Sequence, residues 1–262
     1  MSFESECTIV IPVRIDTPDR LANLNASIYY LRVCYPSIKI IVVESDATRQ
    51  IVDTIQFTYY FISTSERFAR GRTINDGVKL VTTPYLIVYD CDVFLNRFAV
   101  ITGWEHLKRD QHVVLPHNCV FVNITGETRL RLHKLIIKDF NKILTNLIGI
   151  HHKIDNDLAS LSYKLLSGVV MFRTTTYLQL GGFNKKMISY GYEDQEIISR
   201  FDKMGYRYMI LPHWNVFHID HRRGIDSRIN ELYKANKAEC DRVGGMPQDR
   251  LRQYINDELL PI

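Results

Sequence analysis

Two aspartates, Asp90 and Asp92, lie one residue apart at the end of the apolar run IVYDCDVFL (residues 87–95). Carboxylate oxygens just beyond a strand are the hard ligands that Mg²⁺ or Mn²⁺ prefers, and phosphate oxygens can complete the coordination. Acids at the start of a loop are also common without a metal, so the pair alone is a weak signal. Its meaning depends on residues elsewhere in the chain.

A basic loop, ERFARGRTINDG (residues 66–77), offers positive charge for phosphate groups. Arg67, Arg70 and Arg72 carry the charge, and backbone N–H groups around Gly71 at the predicted helix start favour an anion. A solvated basic turn would explain Arg67 or Arg72 individually. A diphosphate bound with a divalent cation needs both a basic loop and an acidic pair, because the cation neutralises charge that the arginines do not reach.

Glycines and aromatic residues are combined in LGGFNKKMISYGYEDQE (residues 180–196). Gly181 and Gly182 permit close backbone approach, and Tyr190 and Tyr192 offer flat faces on which sugar rings can stack. Sugar rings are therefore one class of ligand that this segment could contact.

Two acids, Glu193 and Asp194, end this segment at the predicted start of a helix. Acids at a helix N-terminus commonly satisfy backbone N–H groups and the helix dipole, which is sufficient to explain one of them. The other could be the general base that removes a proton from an attacking hydroxyl.

Two histidines with a spacing of three, His218 and His221, follow in VFHIDHRRG (residues 216–224). A neutral imidazole can complete a Mn²⁺ site that a carboxylate begins. We predict that His218 is a metal ligand together with Asp92, and that His221 has a supporting or structural role.

Strands and helices alternate through the first ninety residues. Apolar runs predict strands at 8–13, 39–45, 58–64 and 85–90, with helices at 18–35 and 72–81. This order is typical of an α/β fold with a doubly wound parallel sheet, whose ligands bind outside the carboxyl ends of the strands. The polar residues that follow three of these strands are expected to converge on one cleft: Arg14, Asp16, Glu44, Asp46, Asp90 and Asp92.

The second half of the chain is less regular. Its patterns predict extended chain at 113–124, a strand at 167–174, a helix at 193–205, a strand at 208–212 and a polar helical tail from Asp226. A basic amphipathic helix is predicted at 129–153, which either packs its leucines in the core or meets an anionic membrane surface. We find no repeat or linker and expect one domain over 1–262, with halves at 1–112 and 113–262.

Composition excludes several classes of protein. The chain has 262 residues, is 46% hydrophobic and 24% charged, and carries a net charge of +4, which gives no indication of nucleic-acid binding. Five separated cysteines without metal-finger spacing indicate reduced thiols and a cytoplasmic location. No apolar stretch approaches the roughly 20 residues of a membrane span, so we expect a soluble protein or peripheral contact with the inner face of a membrane.

The ordered set IPVRID, VVESD, ERFARGRTINDG, YDCD, GGFN, YGYED and HIDH resembles the family 2 nucleotide-sugar glycosyltransferases of the GT-A fold. The part nearest the C-terminus is similar to the β-1,4-galactosyltransferase and chondroitin-polymerase type, and the resemblance runs from about Thr8 to about Arg223. It implies a Rossmann-like, mostly parallel central sheet with helices on both faces and an added acceptor-binding region.

The resemblance also implies an activity. We expect an inverting transfer of Gal, GalNAc, Glc or GlcNAc from a UDP-sugar to a hydroxyl of a glycan or lipid-linked glycan, in surface polysaccharide synthesis, with Mn²⁺ or Mg²⁺ as cofactor. Asp194 matches the family's catalytic base, Glu193 an acceptor or supporting contact, and Asp92 and His218 the metal ligands. The second-loop motif departs from the usual acid-acid-Gly-Ser, and tyrosine replaces the frequent tryptophan before the acid pair.

The remaining matched positions fall into two groups. Those expected at the nucleotide-sugar are Pro12, Val13, Arg14, Asp16, Glu44, Asp46, Arg70, Asn75, Asp90 and Cys91. Those expected at the acceptor are Gly181, Gly182, Tyr190, Tyr192 and Glu193. Two other functions stay open, namely a non-catalytic nucleotide-sugar or glycan-binding protein and a metal-dependent nucleotidyltransferase. The acid pair favours an enzyme, since binding alone has no need of a base.

Overall fold

The computed structural model describes residues 2–52, 56–134, 158–162 and 166–262. Its strands are β1 (Cys7–Val13), β2 (Lys39–Asp46), β3 (Thr58–Ser63), β4 (Tyr85–Tyr89), β5 (Val93–Phe94), β6 (Val113–Leu115), β7 (Phe121–Ile124), β8 (Leu158–Ser162), β9 (Val169–Arg173), β10 (Tyr208–Ile210) and β11 (Val216–Ile219). Its helices cover Phe3–Glu6, Pro18–Cys34, Arg70–Val78, Arg97–Arg109, Gly126–His133, Thr174–Gln179, Glu193–Lys203, Tyr233–Gly245 and Gln248–Tyr254, with a 3₁₀ turn at Ile225–Ser227 and a π turn at Ile255–Leu259.

A seven-stranded sheet of order β10-β6-β9-β4-β1-β2-β3 forms the centre of the described chain. Its neighbouring strands are parallel, except that β9 runs antiparallel to both β4 and β6. The predicted α/β fold with a mostly parallel sheet is therefore confirmed.

Helices cover both faces of this sheet because alternate residues of each buried strand point to opposite sides. Ile9 and Ile11 of β1 pack in the same core layer as the helix Pro18–Cys34, whereas Val10 packs in the layer that contains the helix Arg70–Val78. The second helix lies very close to the sheet. A Cβ on Gly77 would lie 2.6 Å from the Val43 side chain, so only glycine fits there.

The extended segment predicted at 113–124 is divided between two sheets. Pro116 follows β6 and has no N–H to continue a ladder, and Cys119 has a left-handed backbone with φ of 63°. β7 therefore joins a four-stranded sheet of order β5-β11-β7-β8. Of the predicted helix 129–153, residues up to 133 form the helix Gly126–His133, and 135–153 lie outside the described residues.

The small sheet brings the later part of the chain to the carboxyl end of β4. Three residues separate β4 from β5, which pairs antiparallel with β11, so that His218 lies opposite Val93. The Ile219 N–H donates to the Asp92 carbonyl over 2.7 Å. Within the described ranges, no helix has the length and apolar character needed to cross a bilayer.

Candidate active site

A cleft of about 620 Å³ lies beyond the carboxyl ends of β1 and β4. Parallel strands present their carboxyl ends at one edge, which is why residues distant in sequence meet there. Thirteen residues predicted from the sequence line the cleft: Pro12, Val13, Arg14, Asp16, Arg70, Asp90, Cys91, Asp92, Tyr190, Tyr192, Glu193, Asp194 and His218.

A carboxylate and two imidazoles form a cluster on one side of the cleft. Ligand atoms of Asp92, His218 and His221 all lie within 4.8 Å of one another, with Asp92 Oδ2 3.8 Å from His218 Nε2 and 3.2 Å from His221 Nε2. The sequence predicted His218 as a ligand and His221 as a supporting residue, whereas the structure brings both to the carboxylate. An oxygen and two imidazole nitrogens suit Mn²⁺ or a similar divalent cation.

The outer nitrogens of both imidazoles have partners that orient the rings. His218 Nδ1 lies 2.9 Å from Asn123 Oδ1, and His221 Nδ1 lies 2.9 Å from the Arg222 carbonyl. Because each of these oxygens engages Nδ1, Nε2 is the ring atom of each imidazole that faces Asp92. Burial lowers the pKa of His218, which keeps its ring neutral as a ligand requires.

Asp92 is held as a carboxylate by its surroundings. Burial would raise its pKa, but the nearby histidines and Arg20 together lower the pKa of Asp92 well below its usual range. Arg20 Nη1 donates to Asp92 Oδ2 over 2.8 Å. Arg20 lies in the first turn of the helix that Pro18 begins and Thr17 caps. Sequence reasoning did not select it, although its place just after the first strand pointed to this edge.

A second group of charges lies around Arg70. Its Nε and Nη2 donate to Asp90 Oδ1 over 2.9 and 2.8 Å, and its Nη1 donates to Asp194 Oδ1 over 3.0 Å. Glu193 Oε1 lies 4.0 Å from the same Nη1. Three carboxylates therefore surround one guanidinium. Burial raises the pKa of Asp194 to about 7 although Arg70 opposes the shift, and burial also raises the pKa of Glu193.

A left-handed turn presents the acid pair to the cleft. Ser189, Gly191 and Tyr192 all have positive φ, and the helix Glu193–Lys203 begins directly afterwards. No side chain caps this helix in the structure. The Asp194 carboxylate is bonded to Arg70 instead, so a capping role does not explain it.

Three tyrosines form an aromatic wall of the cleft. The rings of Tyr190 and Tyr233 are stacked, with centroids 6.1 Å apart and planes 14° apart, and the Tyr192 ring lies 5.1 Å from that of Tyr233. The Tyr233 hydroxyl donates to the Tyr192 hydroxyl over 3.1 Å. Sequence reasoning missed Tyr233 because it begins a helix in what read as a polar tail.

The structure places two predicted nucleotide-binding acids, Glu44 and Asp46, outside the cleft lining. Glu44 is fully buried and accepts hydrogen bonds from the Gln50 and Ile51 N–H groups and from the Tyr59 hydroxyl. The Asp46 carboxylate accepts from the N–H of the next residue. Glu44 thus organises the loop after β2, and its oxygens face the protein.

Asn75, Gly181 and Gly182 are also placed elsewhere, in the packing behind the cleft. The Asn75 amide donates to the Phe183 carbonyl over 2.9 Å and accepts from the Phe183 N–H and the Tyr177 hydroxyl. A Cβ on Gly182 would lie 2.5 Å from the Asn75 oxygen, and a Cβ on Gly181 would lie 2.5 Å from Leu259. The glycines permit this close packing, which corrects their assignment to the acceptor site.

One further acid, Asp226, links opposite walls of the cleft. Its carboxylate accepts from the Phe68 N–H over 3.1 Å and from the Ser189 hydroxyl over 2.7 Å, and it lies 2.8 Å from Arg67 Nε. It also lies 3.4 Å from Arg14 Nη1. Asp226 thereby joins the basic loop to the turn before the acid pair.

Comparisons with known proteins identify two family similarities. The model of glycosyl transferase family 2 matches residues 8–161, and the model described as the N-terminal domain of galactosyltransferase matches residues 129–222. No curated protein matches the sequence significantly.

Solved structures share the fold. One is a mutant β-1,4-galactosyltransferase 7 from Drosophila in complex with manganese, UDP-Gal and xylobiose, which has 13% identity and a TM-score of 0.50 over 88% of this chain and 79% of that one. Another is a mannosyltransferase from Pyrobaculum calidifontis in complex with GDP-Man and Mn²⁺, which has 15% identity and a TM-score of 0.52 over 98% of this chain and 71% of that one.

Proposed function

This chain belongs to glycosyl transferase family 2 and has the GT-A fold, and from that premise we propose that it transfers a sugar from a UDP-sugar to a hydroxyl of a glycan acceptor with inversion. The observation that carries the proposal is the arrangement of two charged groups in one cleft. A cation site of Asp92, His218 and His221 faces the same space as Asp194, a buried carboxylate with a raised pKa.

The residues present fit a divalent cation, Mn²⁺ or Mg²⁺. Asp92, His218 and His221 would hold it, and when bound it would neutralise charge that develops on the diphosphate leaving group. The chain adds fixed positive charge of its own. Arg14, Arg20 and Arg70 line the cleft on the donor side, where they can hold the phosphates and limit the approach of water.

Asp194 is proposed as the general base. Its carboxylate accepts the proton of the acceptor hydroxyl as that oxygen attacks the anomeric carbon from the face opposite the leaving group, and the bond to the UDP oxygen breaks. A pKa of about 7 matches this task, because the group can accept a proton near neutral pH without being too weak a base. Glu193 is proposed to contact the acceptor or support the base.

The two halves of the chain are proposed to divide the work. Residues 1–112 supply most donor-side groups, namely Pro12, Val13, Arg14, Asp16, Arg70, Asp90 and Cys91. Residues 113–262 supply the base and the wall of Tyr190, Tyr192 and Tyr233, against which a sugar ring of a glycan or lipid-linked glycan can stack. We place the activity in cytoplasmic synthesis of a surface polysaccharide.

A donor screen tests this proposal. The protein is incubated with Mn²⁺ and UDP- or GDP-linked Gal, GalNAc, Glc, GlcNAc or Man, and the release of nucleoside diphosphate is measured alongside donor binding. Release of UDP is expected. GDP release would reassign the donor, binding without turnover would indicate a binding protein, and pyrophosphate release would indicate a nucleotidyltransferase.

The Asp194→Asn variant is the control for the base. It keeps the size and shape of the side chain but cannot accept the proton, so it should bind UDP as the unmodified protein does and transfer no sugar. Transfer at the unmodified rate would refute the assignment of Asp194.

A further inference from the structure

Residues 222–229, with the sequence RRGIDSRI, form a surface segment at the mouth of the cleft, here called the rim segment. Two isoleucines in it are open to solvent, with Ile225 49% and Ile229 68% exposed. Arg222, Arg223 and Arg228 are exposed as well. Isolated exposed apolar residues are ordinary, but two isoleucines among three arginines within eight residues form a combined apolar and cationic surface.

Hydrogen bonds hold the rim segment in place while its isoleucines are exposed. Asp226, between the isoleucines, is bonded to the Ser189 hydroxyl and to the Phe68 N–H. Asn230 donates to the Ile225 carbonyl over 2.9 Å and to the Ser189 hydroxyl over 2.6 Å. Gly224 fits closely against Asp16, where a Cβ would lie 2.0 Å from the Asp16 carboxylate. The Asp226 and Asn230 side chains turn inwards to these partners, and the isoleucines face outwards as a result.

The outward charge of the rim segment is positive. Asp226 is its single acid in the sequence, and the Asp226 side chain is only 10% exposed and engaged with Arg14 and Arg67. Within the segment, exposed positive charge therefore exceeds exposed negative charge. Arg223 also lines the cleft, so this positive surface reaches the opening through which an acceptor enters.

We propose that the rim segment docks on an anionic phospholipid surface. Arginines complement lipid phosphate groups, and isoleucines gain from insertion at the boundary between headgroups and acyl chains. A soluble anionic glycan would engage the arginines but would offer nothing to the isoleucines, so the combination favours a lipid surface. Docking would turn the mouth of the cleft towards the bilayer. This deepens the proposed function by making the acceptor a lipid-linked glycan, while the docking itself can be tested without turnover.

Vesicle binding tests the proposal. The full chain is sedimented with vesicles of phosphatidylcholine containing phosphatidylglycerol and, separately, with vesicles of phosphatidylcholine alone. Binding is expected with the anionic vesicles and should weaken with salt. The Ile225→Ser/Ile229→Ser variant should bind at least about tenfold more weakly, and the Arg228→Gln variant about fivefold more weakly. Both should release UDP from a water-soluble donor at the unmodified rate.

Matched changes at the opposite end of the sheet serve as controls. Leu178 is 42% exposed in the helix Thr174–Gln179, whose Thr174 N–H donates to the Pro84 carbonyl just before β4. The Arg207 side chain is 60% exposed, and its carbonyl accepts from the N–H of Val113, the first residue of β6. Leu178→Ser and Arg207→Gln should bind vesicles as the unmodified protein does. Equal loss in these controls, no binding by the unmodified protein, or an isoleucine variant that binds normally would each overturn the proposal. Dextran sulfate binding that depends on the arginines but not on the isoleucines would indicate a soluble polyanion instead.

The outcomes separate this proposal from the enzymatic one. Vesicle binding by a protein that releases no nucleoside diphosphate would leave the docking surface standing and remove the proposed activity. UDP release with no vesicle binding would support the proposed activity and remove the docking surface.

Discussion

Arg70 Nη1 donates to Asp194 Oδ1 over 3.0 Å while the other side of the same guanidinium holds Asp90. Asp90 lies on the proposed donor side and Asp194 on the proposed acceptor side, so a single planar group joins the two. The guanidinium is also 5.5 Å from the Phe183 ring, which limits where it can move. The orientation of the proposed base is therefore tied to the donor side of the cleft.

Replacing Arg70 with lysine should separate its charge from its geometry. Lysine keeps a positive charge, but its ammonium cannot bridge two carboxylates as a planar guanidinium does. We expect kcat for transfer to fall about 100-fold, since a misplaced catalytic group costs that much. Steady-state kinetics measures the effect, and Arg72→Lys, two residues along the same helix, is the control. An unchanged kcat in Arg70→Lys would show that Asp194 is positioned without the bridge.

The transfer rate should depend on pH through Asp194. Its pKa is raised to about 7 by burial, against the lowering effect of Arg70, so the carboxyl is protonated below that pH and cannot accept a proton. We expect kcat to rise about tenfold per pH unit up to pH 7 and to level off above it. Arg70→Gln removes the lowering charge and should move this rise to higher pH. A flat profile between about pH 5.5 and 8 would contradict the assignment.

His221 should be as important for the cation as His218. Both Nε2 atoms lie close to the Asp92 carboxylate, so His218→Ala and His221→Ala should each weaken Mn²⁺ affinity by at least about 10- to 100-fold. Calorimetric titration with Mn²⁺ measures the affinity without turnover, and Asp92→Ala should lose both the affinity and the transfer activity. The exposed His213 is the control position. If His221→Ala binds Mn²⁺ normally, His221 is structural, as the sequence had suggested.

Asn75 should matter for stability and not for the donor. Asn75→Ala would remove the donor to the Phe183 carbonyl and the acceptor of the Tyr177 hydroxyl in a buried region, while the Phe183 N–H could still donate to the Tyr177 oxygen over 3.3 Å. Unsatisfied buried groups cost about 1–3 kcal/mol each. We expect the free energy of unfolding in urea to fall by about 2–3 kcal/mol, with an unchanged KM for the donor. Asp76→Ala, which removes a surface ion pair with Lys79, should change stability by less than about 1 kcal/mol.

The alternation of strands and helices to residue 95 could be predicted from the sequence. The strands are apolar runs, and in the helices apolar residues recur at helical spacing. The predicted helix 18–35 is observed at Pro18–Cys34, and the predicted strand 85–90 at Tyr85–Tyr89. The small sheet could not be predicted in the same way. β5 has two residues, and it exists because β11, more than 120 residues later, pairs with it.

The residues of the candidate site also differ in how far the sequence could predict them. Acids and arginines directly after buried strands, such as Arg14 and Asp90, could be placed at the cleft from the sequence. Glu44 lies near the end of β2, but the loop beyond the strand folds back and uses its oxygens. Arg20 and Tyr233 come from helices whose faces only the tertiary packing determines. A residue type and a position after a strand indicate the edge of the sheet, whereas the direction of the side chain depends on the neighbouring loop.

The pairing of β5 with β11 has a consequence for the choice of cation. Asp92 and His218 stand on backbones locked together through the Ile219 hydrogen bond, so the distance between these two donors follows from strand spacing. His221 stands two residues beyond the end of β11, outside this ladder. The sheet thus fixes the spacing of Asp92 and His218, whereas the position of His221 depends on the chain that follows β11. We expect the connection at residues 220–222 to set how closely His221 approaches a bound cation, so substitutions there should alter metal preference while the sheet stays intact.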